Sequence, residues 1–413
     1  MSKQISFLHA ADLHLDSPFK GLARIPEEIF KEVQESTFIA LDRLVNVAIN
    51  KQVNFVLLVG DLFDNEKQSL KGQIHLRDAF EKLKRHHIYV YLSYGNHDYL
   101  NGNHYPITYP ENVFTFQQET IQHFLYEQNG ETLASIYGFS YENRAVHDNK
   151  AIEFPELNDA IPFHIAMLHG SLQSNTEHDV YAPFQLSDLS KQHFDYWALG
   201  HIHKREILSV NPPIIYPGNI QGRNRKESGE KGCYHVVLNE VGAATTSFIP
   251  LQALCFENVS VDISECDQPH QLEIAIQHAL VEQYHNLGPI LVSLTLTSTN
   301  PEHQQWETDG ILTDIVELLN ESARQQTNWF YIYTCIINIT TSLADTTLAK
   351  GEHFLGELVR HAEEASIQPF MKELYQHKQA RKYLPSLSDE EQETIKNEAQ
   401  QYLMRELLYN GGE

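Results

Sequence analysis

Five short apolar runs in this chain each end in side chains that make hard metal ligands, and that recurrence limits what it can fold into. Ile5 to Ala10 runs into Asp12-Leu13-His14, and Val53 to Val59 into Gly60-Asp61-Leu62-Phe63-Asp64. Ile88 to Ser93 runs into Gly95-Asn96-His97-Asp98, Phe163 to Leu168 into His169-Gly170, and Asp195 to Leu199 into Gly200-His201-Ile202-His203. Runs of this length and β-branched content read as buried strands. Open α/β sheets place their sites at the carboxyl ends of such strands. Spacings of two in Asp12-x-His14 and His201-x-His203 put both side chains on one side wherever the backbone is extended. Gly60, Gly95 and Gly200 permit the sharp turns that present them.

Between these runs the pattern turns helical, as a layered α/β domain requires. Pro26 can open a helix whose stripe is Ile29, Val33, Thr37, Leu41, Leu44 and Ala48, and Lys67 to His87 is a second, highly charged one. Thr132 to Tyr137 and Cys233 to Leu238 add strands, with a Pro-, Gly-, Asn- and Arg-rich loop from Pro212 to Gly232. The chain is expected to divide into a catalytic domain over 1–250, a small α+β domain over 251–345 and a helical tail over 346–413. The second of these carries a β-α-β-α-β order: Phe256 to Ile263, Pro269 to Tyr284, Pro289 to Leu296, Ile311 to Ala323 and Trp329 to Ile339. The tail has apolar stripes that need a surface to pack on.

Seven residues emerge as candidate metal ligands: Asp12, His14, Asp61, Asn96, His169, His201 and His203. They are too many for one ion and fit two that share a bridging carboxylate, for which Asp61, alone at the tip of the most buried strand, is the choice. Carboxylate, imidazole and amide oxygen without thiolate favour manganese, with iron(II) or magnesium as alternatives, over a structural zinc site. A pair of ions about 3.5–4 Å apart clamps the attacking and leaving oxygens of a phosphoryl displacement and lowers the pKa of a bound water. His97, adjacent to the ligand Asn96, is left to stabilise the transition state and protonate the leaving oxygen. Asp64 and Asp98 are both candidates for orienting its ring. His9 alternates with the ligands and should face away from them. Asp16 stays open between a supporting role and a solvated one. Arg205, Arg223, Arg225 and Lys226 lie near the site in sequence and are candidates to meet phosphates, or form a solvated loop face.

Charge complicates the choice of substrate. The net charge is −25, which argues against autonomous high-affinity binding to nucleic acid. Bound cations reverse the local field, and a partner protein can supply a basic surface. The four cysteines form no CxxC pair and read as buried thiols. No apolar run is long enough for a membrane span, and the N-terminus lacks a secretory pattern, so a cytoplasmic protein without membrane contact is expected.

Taken together, the blocks D-x-H, GD-x-x-D, GNHD, a later histidine and GH-x-H resemble the calcineurin-like metallophosphoesterase superfamily across Asp12 to His203. Within it, ADLHLDSPF, GDLFD, LHG, LGHIH and Tyr216-Pro217-Gly218-Asn219-Ile220-Gln221, followed by Glu230-Lys231-Gly232, resemble the SbcD/YhaO type of DNA-repair exonuclease. The resemblance implies a β-sandwich flanked by helices, a capping domain and two manganese ions. It assigns the first ion to Asp12, His14, Asp61 and His203, the second to Asp61, Asn96, His169 and His201, and catalysis to His97. It also implies DNA as substrate and a coiled-coil ATPase of SbcC type bound by the tail. Two departures stand out: some members carry histidine where Asp64 stands, and Asn219 replaces the usual serine.

The leading expectation is a manganese-dependent DNA nuclease. A small-molecule or cyclic-nucleotide phosphodiesterase on the same ions is the runner-up, favoured by the acidic surface. A phosphoprotein phosphatase and a regulatory scaffold follow. Apolar residues on the first two helices offer a surface for a homodimer.

Overall fold

The computed structural model describes residues 3–19, 22, 25–64, 68–102, 107–174, 181–284 and 287–339, with isolated positions beyond. The alternation begins as expected, with β1 (Gln4–Ala11), α1 (Glu27–Lys51), β2 (Phe55–Val59), α2 (Leu70–Arg85) and β3 (Tyr89–Ser93). β1, β2 and β3 pair in parallel, which requires a crossover between each pair, here α1 and α2. The second helix is shorter than its charge pattern suggests. Ser69 sets its start by accepting the Gly72 N–H at 2.9 Å, and Lys67 lies outside the described residues.

Next come β4 (Val113–Thr115), β5 (Gln122–Gln128), β6 (Glu131–Gly138), a 3-10 turn at Lys150–Glu153, β7 (Phe163–His169), α3 (Leu186–Ser190) and β8 (Tyr196–Gly200). β9 (Glu206–Val210), β10 (Pro213–Tyr216), β11 (Gly232–Asn239) and β12 (Gly242–Pro250) follow. These strands make two six-stranded mixed sheets, ordered β12-β11-β1-β2-β3-β4 and β5-β6-β7-β8-β10-β9. The segment from Pro212 to Gly232 is thus not all loop. Pro213 stands first in the fully buried β10, which pairs parallel to β8 and antiparallel to β9. A proline at the first position of a strand costs no interior ladder bond.

The sheets stack face to face as the expected sandwich. Phe7, Phe55, Leu57 and Tyr91 from one sheet interdigitate with Ile136, Ile165, Met167 and Tyr196 from the other. Phe7 stacks on Phe55 and meets Tyr196 edge-on, with centroids 5.1 and 5.2 Å away. Truncating such a ring to alanine costs about 3–5 kcal/mol. Helices α1 and α2 cover the outer face of the first sheet through Phe38, Leu41, Leu44, Leu76 and Phe80.

The expected α+β segment follows as β13 (Cys255–Asp262), α4 (Pro269–Tyr284), β14 (Ile290–Ser298), α5 (His303–Thr308), α6 (Ile311–Ala323) and β15 (Phe330–Ile339). Its sheet, β13-β14-β15, has its own core with Leu272, Ile276, Leu280, Leu312 and Leu319 from the helices. A separate cluster joins Leu254, Phe256 and Leu291 to Phe19, Ile29 and Val33 at the start of α1. The described residues of 3–298 and 302–338 fall within one compact unit. The expected helical tail over 346–413 lies almost wholly outside the described residues. Cys233, Cys255, Cys266 and Cys335 are all free thiols. Among the described residues no helix is long and apolar enough to cross a membrane.

Candidate dimetal centre

Four of the seven candidate ligands leave their strands on left-handed rather than extended backbone. Asp12, His14, Asp16, Asp61 and His201 all have positive φ, at 52°, 43°, 59°, 49° and 94°. Non-glycine residues hold such angles only where surrounding contacts over-determine them. Here the contacts are visible: His14 N–H donates to the Asp61 carbonyl at 3.0 Å and Leu15 N–H to the Leu62 carbonyl at 2.9 Å. The His201 N–H lies 3.1 Å from both carboxylate oxygens of Asp12. The same-side argument for His201 and His203 therefore fails, and the two rings go to different places.

Two groups of potential ligands converge, each with ligand atoms within 4.8 Å of one another: Asp12, His14 and His203, and Asp61, His169 and His201. Asn96 joins the second, its side-chain oxygen 3.1 Å from His169 Nε2 and 3.2 Å from His201 Nδ1. Asp61 stands between the groups, with Oδ2 at 3.5 Å from His169 Nε2 and 3.9 Å from His14 Nε2. All seven sequence candidates are brought together. A less buried convergence of His14, Asp64 and His97 lies alongside.

Burial is nearly complete: Asp12 and His14 are 0% exposed, and Asp61 and His169 are 1% exposed. Burial opposes ionisation of Asp61, but the charge and hydrogen bond of His169, with His97 and His14, hold its carboxyl well below the usual range. His169 shows the converse. Burial disfavours its cation, yet Asp61 and Asp12 push its pKa up to about 9. Positive charge is therefore stabilised at this point, as a cation site demands. His14 stays neutral, its pKa lowered by burial and then by Arg223 and His203, and a neutral ring keeps a lone pair for an ion.

Supporting bonds fix the donor atoms. Val59 carbonyl lies 3.0 Å from His169 Nδ1, so Nδ1–H donates there and Nε2 turns to the site. The hydroxyl of Tyr141 holds the His169 carbonyl at 2.7 Å. A Cβ on Gly95 would lie 2.3 Å from Asp61 Oδ1 and 2.7 Å from His169 Nε2. Glycine there is a steric necessity.

The residues beside the ligands depart from expectation. His97 Nδ1 meets the backbone carbonyl of Asp64 at 2.7 Å, so main chain orients this ring. Asp98 instead accepts the Gly95 and Leu62 N–H groups at 2.8 and 2.6 Å, bracing the turn. Its carboxyl, raised by burial and then by the Asp61 charge, reaches about 7. Arg223 is not a solvated loop residue either: it is turned inward onto Asp64 and Glu227. Glu227, absent from the sequence candidates, lies 2.9 Å from His203 Nδ1. Arg225, Lys226 and Arg205 are exposed, with Arg205 over the Phe248 ring at 3.8 Å. His9 faces away, as expected, bonded to Tyr196 and Leu199.

Hard donors in two groups, with Asp61 between them and positive charge stabilised beside it at His169, fit a pair of divalent cations. A mixed β-sandwich with such a centre at its strand ends defines a metallophosphoesterase. The chain belongs to the calcineurin-like phosphoesterase family, whose pattern matches residues 5–205. It is 38% identical to the metallophosphoesterase YhaO of Bacillus subtilis over 408 residues, 98% of this chain and 99% of that one. It is also 26% identical to the DNA double-strand break repair protein Mre11 of Sulfolobus acidocaldarius over 237 residues, 54% of this chain and 59% of that one. Mre11 of Sulfurisphaera tokodaii is 25% identical over 244 residues, 55% and 59% of the two chains.

Proposed function

We propose that this metallophosphoesterase is a manganese-dependent DNA nuclease of repair or recombination, working in the cytoplasm. The observation that carries the dimetal reading is Asp61 Oδ2, set between His169 and His14. Asp12, His14, Asp61 and His203 would hold one ion, and Asp61, Asn96, His169 and His201 the other. The ions supply a polarised water and neutralise phosphate charge. His97, its Nδ1 engaged by the Asp64 carbonyl, keeps Nε2 for proton transfer to the leaving oxygen. Exposed Arg225 and Lys226 serve the flanking phosphates. DNA as substrate is supported by the similarity to Mre11 proteins, whose name places them in double-strand break repair.

Residues 1–250 act as the catalytic domain, 251–345 as the cap and 346–413 as the docking segment for an SbcC-type coiled-coil ATPase. That partner offsets the charge of −25. Exposed Ile39 on α1, and Leu70 and Ile74 on α2, support a homodimer through the helical layer.

The acidity favours a second reading, a small-molecule phosphodiesterase on the same ions. The two separate by comparing cleavage of linear DNA with that of a chromogenic phosphodiester under manganese. Efficient turnover of the small ester with intact DNA rejects the nuclease.

A further inference from the structure

Behind the Asp12, His14 and His203 group, one guanidinium joins two carboxylate–imidazole pairs. His203 Nδ1 lies 2.9 Å from Glu227 Oε1, and His14 Nδ1 lies 3.6 Å from Asp64 Oδ1. Arg223 reaches both carboxylates: Nη1 bonds Asp64 Oδ1, and Nη2 lies 3.1 Å from Glu227 Oε1. The second Glu227 oxygen accepts the Arg223 backbone N–H and the Asn219 side-chain amide, each at 2.8 Å. The side chains of Arg223, Glu227 and Asp64 are only 13%, 11% and 15% exposed. A buried charge set of this kind persists only when every member is paired.

The geometry also decides a tautomer. Arg223 Nη2 lies 3.1 Å from His203 Nδ1 as well, so Nδ1 either accepts from arginine or donates to Glu227. Arginine already has a carboxylate acceptor in Glu227, and a carboxylate is the stronger partner for an imidazole N–H. Nδ1–H therefore donates to Glu227, and Nε2 keeps its lone pair. That lone pair points at His14 Nε2, 3.0 Å away.

We propose that Glu227 and Arg223 are positioning residues for one of the two cation sites, the one formed by Asp12, His14 and His203. Glu227 sets the His203 tautomer, and Arg223 locks Glu227 and Asp64 in place behind the two rings. The proposal rests on the dimetal reading of the centre and is independent of DNA as substrate. Outer partners of metal-bound histidines change metal affinity by about 10–100-fold.

The test is manganese binding to the full chain, followed by titration calorimetry and electron paramagnetic resonance, for wild type, Glu227→Gln and Arg223→Lys. Wild type should show two sites. In Glu227→Gln one should weaken about 10–100-fold while the other stays within about twofold. Arg223→Lys should weaken the same site, because a single ammonium nitrogen lacks the rigid planar fork by which Nη1 and Nη2 reach separate carboxylates. Should Glu227→Gln not fold, judged by circular dichroism, Arg223→Lys carries the test alone. Two unchanged sites in a variant with a lowered melting temperature would mean a purely structural network and overturn the proposal. Equal weakening of both sites would overturn it too. Failure of wild type to bind two ions would instead reject the dimetal reading.

Discussion

Across 189 residues of sequence, the Nε2 atoms of His14 and His203 meet at 3.0 Å. Two imidazole lone pairs brought this close repel unless a cation or a proton lies between them, so ion binding should feed directly into stability. Saturation at a hundred times Kd contributes about 2.7 kcal/mol per ion, a rise in melting temperature of roughly 3–4 °C per ion for a chain of this length. Thermal melts with manganese and with chelator measure it. Asp61→Asn should lose most of the rise, because Asp61 faces both groups. An undiminished rise in that variant removes it from the bridging position.

His97 sits outside both main ligand groups, with its ring held by main chain. His97→Gln should therefore lower kcat about 10²–10⁴-fold while manganese content, measured by mass spectrometry, stays at the wild-type value. A variant that loses metal as well makes His97 a ligand.

His9 provides one part of the pH dependence. It is fully buried, bonded to the Tyr196 hydroxyl at 2.9 Å and the Leu199 carbonyl at 3.0 Å. Desolvation lowers its pKa to about 3, with the Leu199 bond opposing the shift. The unfolded chain, with a histidine pKa near 6.5, then binds the proton more tightly than the folded one. The His9 contribution to stability is full above about pH 6.5 and is lost as pH falls towards 3, with a slope of at most about 1.4 kcal/mol per unit. Denaturant titrations at pH 7, 6 and 5 should show a shallower slope for His9→Gln than for wild type. Parallel slopes would remove His9 from the acid response.

Gly95→Ala places a methyl where Asp61 Oδ1 and His169 Nε2 now sit. The expected outcome is loss of manganese binding together with destabilisation of about 1–3 kcal/mol. Calorimetry and melting separate the two effects. Wild-type affinity in the variant would show the turn free to move.

Much of the centre was legible because its chemistry is written at strand ends, where a run such as VNFVLLV before Gly60-Asp61 fixes both element and direction. What failed was local geometry. His201 and His203 diverge because left-handed backbone at His201 breaks the period of two. Glu227 went unseen because a glutamate in a polar loop looks solvated until Arg223 folds inward beside it. Asp98 looked like a partner for His97, whereas its oxygens close a turn through two backbone amides. The edge strands β5 and β9 are half exposed, so their apolar signal is weak. The apolar run of β10 was masked by its leading prolines.

Left-handed φ at Asp12, His14, Asp61 and His201 has an evolutionary corollary. Each such residue costs about 1–3 kcal/mol that a glycine would not. Laboratory selection for heat resistance alone, under chelator and with catalysis unrewarded, should collect glycines at these four positions. The hardiest descendants of this chain would then be inert, and their sequences would map the centre by what they discarded.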